Sequence, residues 1–400
     1  MTTEARCEIV PLTALRGLAA VSVVALHFTD WLGDGWRARH DLGFVAHGYL
    51  WVDFFFMLSG FVLGLAHAER FRGGAPDGFY ARFVVSRLAR IYPLHLVTLL
   101  LILLAELAKY RLTYAGEPPF SLNTPASFLD HLLLIQAWGA TQPATWNLPS
   151  WSISAEWGAY LAFPLFATLL WRPRAPILAA ALGLALLAGL AAVIRLNGHP
   201  TLEQVIGAGA LPRCLLDFAG GMLICRLHLA ARRHRRPALT AIGSDASAFL
   251  ALTAVALALQ YGLYDPLVVA LMAWLITALA ANQGRARAAL SLPPLRWLGL
   301  ISYSIYLDHF LILKIWKLVY QRVFHEQIGG LGALLAFLAV LGAVLAMAVV
   351  TWRFVERPGQ RWVLSWAVPV RRSAPGLPGR RTEPDRGAAM PPPDHRPQEA

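Results

Sequence analysis

Residues 12–31 read LTALRGLAAVSVVALHFTDW. The stretch is long and apolar enough to cross a bilayer as one helix. Two ionisable side chains, Arg16 and His27, interrupt it. Each costs free energy at membrane depth, so an intramembrane Arg plus His is by default a functional-site hypothesis. Eleven residues at about 100° each return to within roughly 20° of the start, which puts both side chains on one helix face about 16 Å apart. Ala20, Val23 and Val24, which lie between them on that face, are small. One reading is a narrow slot with a permanent cation near one membrane surface and a titratable imidazole deep inside. The other is a snorkelling Arg and a satisfied buried His.

The rest of the chain has the same character. Of 400 residues, 57% are hydrophobic and 14% charged, and the mean hydropathy is +0.52. That composition excludes an ordinary soluble domain and predicts an all-α polytopic membrane protein. Residues 12–31 are too long for a signal-peptide core and no small-residue cleavage site follows, so they are expected to remain as a span. Cys7, Cys214 and Cys225 show neither metal nor disulfide spacing. Lys and Arg total 35 against 23 Asp and Glu. Basic cytoplasmic loops explain that excess better than nucleic acid does.

Ten spans are predicted, at about 12–31, 48–68, 84–108, 152–171, 175–195, 205–228, 246–262, 264–282, 297–320 and 331–354. Residues 126–138 are apolar but short, which suits a re-entrant or interfacial helix. With the N-terminus inside, the even loops carry Arg70, Arg72 and Arg82, then Arg172 and Arg174, then Arg232, Arg233, Arg235 and Arg236, then Arg285 and Arg287. The odd loops carry fewer, so both termini are expected to be cytoplasmic. Residues 363–400, rich in Pro and Arg, are expected to be a disordered tail beyond a membrane domain at 1–362.

Further polar groups recur at membrane depth. Arg87 and Arg90 share a face and could clamp phosphates or simply anchor the cytoplasmic end. Pro93 is expected to kink that helix, and His95 one turn deeper reads as a packed core histidine. Asp53 needs a partner, His27 or a basic group. Ser59 adjoins Gly60, whose role is close helix packing. In TWNLPSWSISAEWGAY, Ser152 and Glu156 share a face. Glu156 is a candidate acid or base, or a helix-start carboxylate favoured by the macrodipole. In LISYSIYLDHF, His309 falls at a depth comparable to His27, where the two could share a cavity.

These segments closely resemble the acyltransferase 3 family, integral membrane O-acetyltransferases of cell-surface glycans and related acceptors. The matching stretches are LTALRGLAAVSVVALHF, VDFFFMLSGFVLG, SRLARIYPLH, PSWSISAEW, GLISYSIYLDHF and WRFVERPGQR, in the family's order from Leu12 to about Arg361. The resemblance implies acetyl-CoA, or another acyl-CoA, as donor, with no metal. It maps the family's Arg and His to Arg16 and His27, its Arg-x-x-Arg pair to Arg87 and Arg90, and its motif acid to Glu156. Some members carry an added extracytoplasmic hydrolase-like domain. This chain shows none, so the membrane part is expected to act alone or with a separate partner.

The resulting expectation is an O-acyl ester made on a hydroxyl of a cell-surface or exported glycan, or of a small hydroxylated acceptor. His27 would be general base, Asp53 or Glu156 would orient it, and Arg16, Arg87, Arg90, Ser59 and His309 would hold the donor. Expected partners are the bilayer, the acceptor and glycan-assembly proteins, with no nucleic acid, in a bacterial inner (plasma) membrane. Trp36, Tyr49, Trp138 and Trp146 suit either sugar faces or the membrane interface. A secondary transporter or flippase of an anionic or sugar substrate also has broken helices and buried charges. The one-sided Arg distribution and the lack of matched interrupted halves weigh against it.

Overall fold

The computed structural model describes residues 8–32, 41–74, 76–112, 123–139, 145–171, 176–234, 237–325, 328 and 330–367. Every regular element among them is helical. The principal helices are α1 (Val10–Asp30), α2 (Trp51–Arg72), α3 (Phe79–Leu112), α4 (Pro125–Leu132), α5 (Ser150–Leu170), α6 (Pro176–Leu196) and α7 (Ala210–Arg233). They continue with α8 (Asp245–Tyr261), α9 (Asp265–Ala281), α10 (Pro293–Leu300), α11 (Ser302–Val323), α12 (Gly330–Thr351) and α13 (Arg357–Ala367). A π-helical turn, Trp352–Glu356, joins the last two.

All ten predicted apolar segments are helices, but they are not alike. Seven are long and apolar enough to cross a bilayer. The ninth predicted span is broken: α10 and α11 meet at 65°. Helices α8 and α9 have 17 residues each, about 25 Å, a little short of the hydrocarbon thickness. They form a hairpin closed by Gly262, whose φ of 62° is left-handed. A Cβ there would meet the His47 ring at 2.6 Å, so glycine is required by both backbone and space. The predicted short segment is α4, followed by turns that lie on the start of α5. Trp138 Nε1 donates to the Ser154 carbonyl at 2.8 Å, and Gln136 Nε2 to the Ser150 carbonyl at 3.0 Å.

Pro93 sits inside the continuous α3. His95 is buried, with a ring nitrogen 2.8 Å from the His131 carbonyl, which is the packing role expected of it. At the C-terminal end, α13 continues the helix through Ala367, past the expected boundary at 362. Residues 368–400 of the expected tail lie outside the described residues.

Two glycine crossings set the bundle's geometry. A Cβ on Gly60 of α2 would lie 2.1 Å from the Phe218 carbonyl oxygen of α7, and one on Gly221 would lie 1.9 Å from that of Met57. The two backbones therefore touch directly. Gly17 of α1 meets the Gly299 backbone of α10 in the same way, with 2.7 Å to its nitrogen. Gly60→Val is expected to force α2 and α7 apart at a cost of about 1–3 kcal/mol. A lower thermal midpoint in detergent would register it, and an unchanged midpoint would contradict the packing. At the rim, Glu8 accepts from Arg296 at 2.6 and 3.1 Å. Those N–H groups hold the Glu8 carboxyl below its ordinary range. The contact is present at neutral pH and is lost as pH falls through that lowered value.

Candidate active site

A cavity of about 650 Å³ opens where α1, α2, α3, α5, the α10–α11 break and the π turn converge. Arg16, Arg87, Arg90 and Arg357 line it, together with Glu8, Glu156 and Glu356. Ser59, Ser152, Tyr160, Tyr303 and Tyr306 supply hydroxyl groups to its wall.

Arg16 reaches the cavity by bracing the broken helix. Its Nη2 donates to the Gly299 carbonyl at 2.8 Å and its Nε to Ser302 Oγ at 2.9 Å. A helix break strands backbone carbonyls that water cannot reach, and Arg16 satisfies one of them. The Gly17–Gly299 crossing brings α1 close enough to do so. Arg87 is buried, with its guanidinium 5.9 Å from the Phe83 ring. Arg90, three residues on, pairs with Glu356 and lies over the Tyr303 ring at 5.4 Å. The second Glu356 oxygen accepts from Ser304 Oγ at 2.7 Å.

Glu356 was not legible as a site residue in the sequence. It ends the π turn, a local widening that re-aims one side chain inward. The WRFVERPGQR stretch was the only signal. Glu356→Gln keeps the shape but removes the charge facing Arg90. A loss of about 1–3 kcal/mol in thermal stability is expected, and an unchanged midpoint would show the pair to be incidental.

Glu156 and Ser152 line the cavity together, as their shared face predicted. Tyr160 donates to Glu156 at 2.6 Å, and Ser59 Oγ lies 3.5 Å from the Tyr160 hydroxyl. Ser152 Oγ and the Tyr306 hydroxyl are 2.8 Å apart. Tyr306 closes this end. Its ring packs edge-on against Phe55 at 5.8 Å and stands 6.0 Å from the His309 ring.

Beyond Tyr306 lie the two histidines. His27 occupies the last turn of α1, with its side chain 22% exposed. Its Nδ1 is 3.1 Å from Asp30. The fully buried His309 ring stacks on it, centroids 5.4 Å apart and planes 14° apart. The two histidines, expected at comparable depth, are in ring contact. Neither ring lines the cavity, however, so His309 stands with His27 and not with the cations expected to hold a donor.

Of the two partners expected for Asp53, His27 or a basic group, the structure supplies the basic group. Both Asp53 oxygens are taken by Arg213 of α7, at 2.7 and 2.5 Å, and both residues are buried. The carboxylate beside His27 is Asp30, three residues along the same helix. Of the aromatics weighed as sugar platforms, Tyr49 is buried against Asp265 at 3.0 Å and Trp146 is buried. Trp138 is 38% exposed. Trp36 lies outside the described residues.

The fold and the site together define a polytopic membrane protein with a cation-lined cavity whose Tyr306 wall stands 6.0 Å from His309, the ring stacked on the Asp30-bonded His27. The chain belongs to the acyltransferase 3 family: the family model, an acyltransferase domain, matches residues 10–353. It is 31% identical to acyltransferase MdmB of Streptomyces mycarofaciens over 326 residues, covering 76% of this chain and 78% of that one. It is also 31% identical over 170 residues to protein 2 in the picA locus of Rhizobium radiobacter, covering 37% of this chain and 81% of that one. No solved structure matches it significantly. The protein is thus a membrane acyltransferase.

Proposed function

We propose that this protein moves an acyl group, acetyl in the first instance, from cytoplasmic acyl-CoA to a hydroxyl of a glycan or small hydroxylated acceptor. The observation that carries this reading is the polarity of the path. Four guanidinium groups gather at the cavity, and Tyr306 in its wall stands 6.0 Å from His309, on which the Asp30-bonded His27 ring stacks. Guanidinium groups suit phosphate oxygens, and the cavity's size suits a drug- or nucleotide-sized ligand. Ile9, Leu12, Thr13 and Arg16 at the start of α1 line the cavity, the end of that helix that the loop charges assign to the cytoplasm. Arg16 and His27 are separated by about 16 Å of helical rise, on the order of the reach of a pantetheine arm.

In this reading the phosphates sit among Arg16, Arg87, Arg90 and Arg357. The thioester reaches the Ser152–Tyr306 end, and the Tyr306 ring must swing for it to meet His27. With Nδ1 donating to Asp30, His27 presents the Nε2 lone pair as base. An acceptor O–H gives its proton to Nε2 while its oxygen bonds the acyl carbon. The C–S bond breaks, and the departing CoA thiolate takes the proton. Ester and free CoA thiol result. In this reading Glu156, hydrogen-bonded to Tyr160, shares the cavity with Arg87 and serves the donor site rather than orienting His27.

The test is transfer of radiolabel from acetyl-CoA to envelope or secreted glycan in cells expressing the protein, against cells without it. Label in a hydroxyl ester is expected. Label absent from glycan and small molecules alike would overturn the acetyl donor assignment. Consumption of another acyl-CoA would then fix the acyl group.

A further inference from the structure

We infer that His309 is a second working imidazole, whose Nε2 accepts a hydrogen bond from the same acceptor that His27 deprotonates; this rests on the acyl-transfer reading above. The inference starts from tautomers. His309 Nδ1 is 3.2 Å from the Ile305 carbonyl. A carbonyl can only accept, so Nδ1 carries the hydrogen and Nε2 carries the lone pair. His27 is fixed in the same tautomer by Asp30. Two near-parallel imidazoles therefore stand side by side, each with an Nε2 lone pair.

His309 Nε2 is buried and has no hydrogen-bond partner among the described residues. A buried acceptor left unmade is unfavourable, and a phenyl ring would fill the same space without that cost. His95 Nδ1 and His131 Nε2 are buried without a partner among the described residues too, but His309 alone stacks on a carboxylate-held histidine, and there the nitrogen is explained by something that arrives. The neighbouring base is where the acceptor must come, and an acceptor molecule brings O–H groups. His309 also keeps its face against His27. When His27 takes the acceptor proton it becomes a cation, and the neutral stacked ring stabilises it through its π face.

The test compares His309→Phe, His309→Gln and wild type at equal membrane levels. It measures label transfer from acetyl-CoA and, separately, acetyl-CoA binding to the purified proteins. H309F keeps a ring but has no acceptor atom; H309Q places an amide oxygen near the Nε2 position. H309F is expected to lose about tenfold to a hundredfold in transfer with wild-type acetyl-CoA affinity, and H309Q to retain most of the activity. If H309F fails to accumulate, His309→Asn, which lacks an acceptor at that position, replaces it. Full activity in H309F overturns the inference. Equal loss in H309F and H309Q also overturns it, leaving His309 a packing residue. Absence of transfer in wild type removes the acyl-CoA reading first, and the inference with it.

Discussion

His27→Ala is expected to abolish acyl transfer while leaving the protein in the membrane at its normal level. General base catalysis contributes about 10²–10⁴-fold, and a loss in that range is the expected result. The donor should still bind, because His27 does not line the cavity that holds the cationic groups. A split between preserved acyl-CoA affinity and lost turnover is therefore the signature to measure. Asp30→Asn should lose less, since the amide keeps the shape beside Nδ1 but no longer fixes the tautomer or balances an imidazolium. Full activity in His27→Ala would remove the imidazole from the reaction. Lost donor binding would mean that the histidine pair belongs to the donor site.

The second large effect is on stability. Arg213→Ala is expected to cost about 3–5 kcal/mol, because it strands the Asp53 carboxylate in a buried site. Arg213 also donates to the Leu202 carbonyl at 2.7 Å and lies 5.3 Å from the Trp151 ring, so α2, α5, α7 and the loop before α7 meet on one side chain. Asp53→Asn should destabilise by a similar route, leaving the guanidinium half-satisfied. A double variant, Asp53→Leu with Arg213→Leu, should recover much of either single loss, as buried pairs replaced by apolar residues commonly do. The measurement is the thermal midpoint in detergent, beside transfer activity of the surviving protein. Recovery of both in the double variant assigns Asp53 to the fold. Recovery of stability alone, with transfer still absent, would return Asp53 to the chemistry.

Much of the architecture was readable because lipid admits few solutions. Apolar runs of helical length must be helices there, and all ten predicted runs are helices. The short segment at 126–138 was separable by length alone. The break in the ninth segment was not, because no Pro or Gly pair interrupts LISYSIYLDHF in an obvious way. At the kink the Gly299 carbonyl accepts from Ser302 three residues on and from Arg16, a residue nearly three hundred positions away.

The site divides along the same line. Pairs within one helix follow from its 3.6-residue period: Arg87 with Arg90, Ser152 with Glu156, and His27 with the overlooked Asp30. Pairs between helices do not. Asp53 could have answered His27 or any basic group, and the choice of Arg213 is made by the Gly60–Phe218 and Gly221–Met57 crossings that seat α2 on α7. Glu356 reaches Arg90 through a π turn that no periodicity announces.

The sequence by itself determined that the chain is a helical membrane protein of this family and which residue types face inward, because periodicity and the cost of charge in lipid are local properties. Only the tertiary structure decided which charges neutralise one another, where the cavity stops, and that the two histidines stack, because those depend on how closely distant backbones approach.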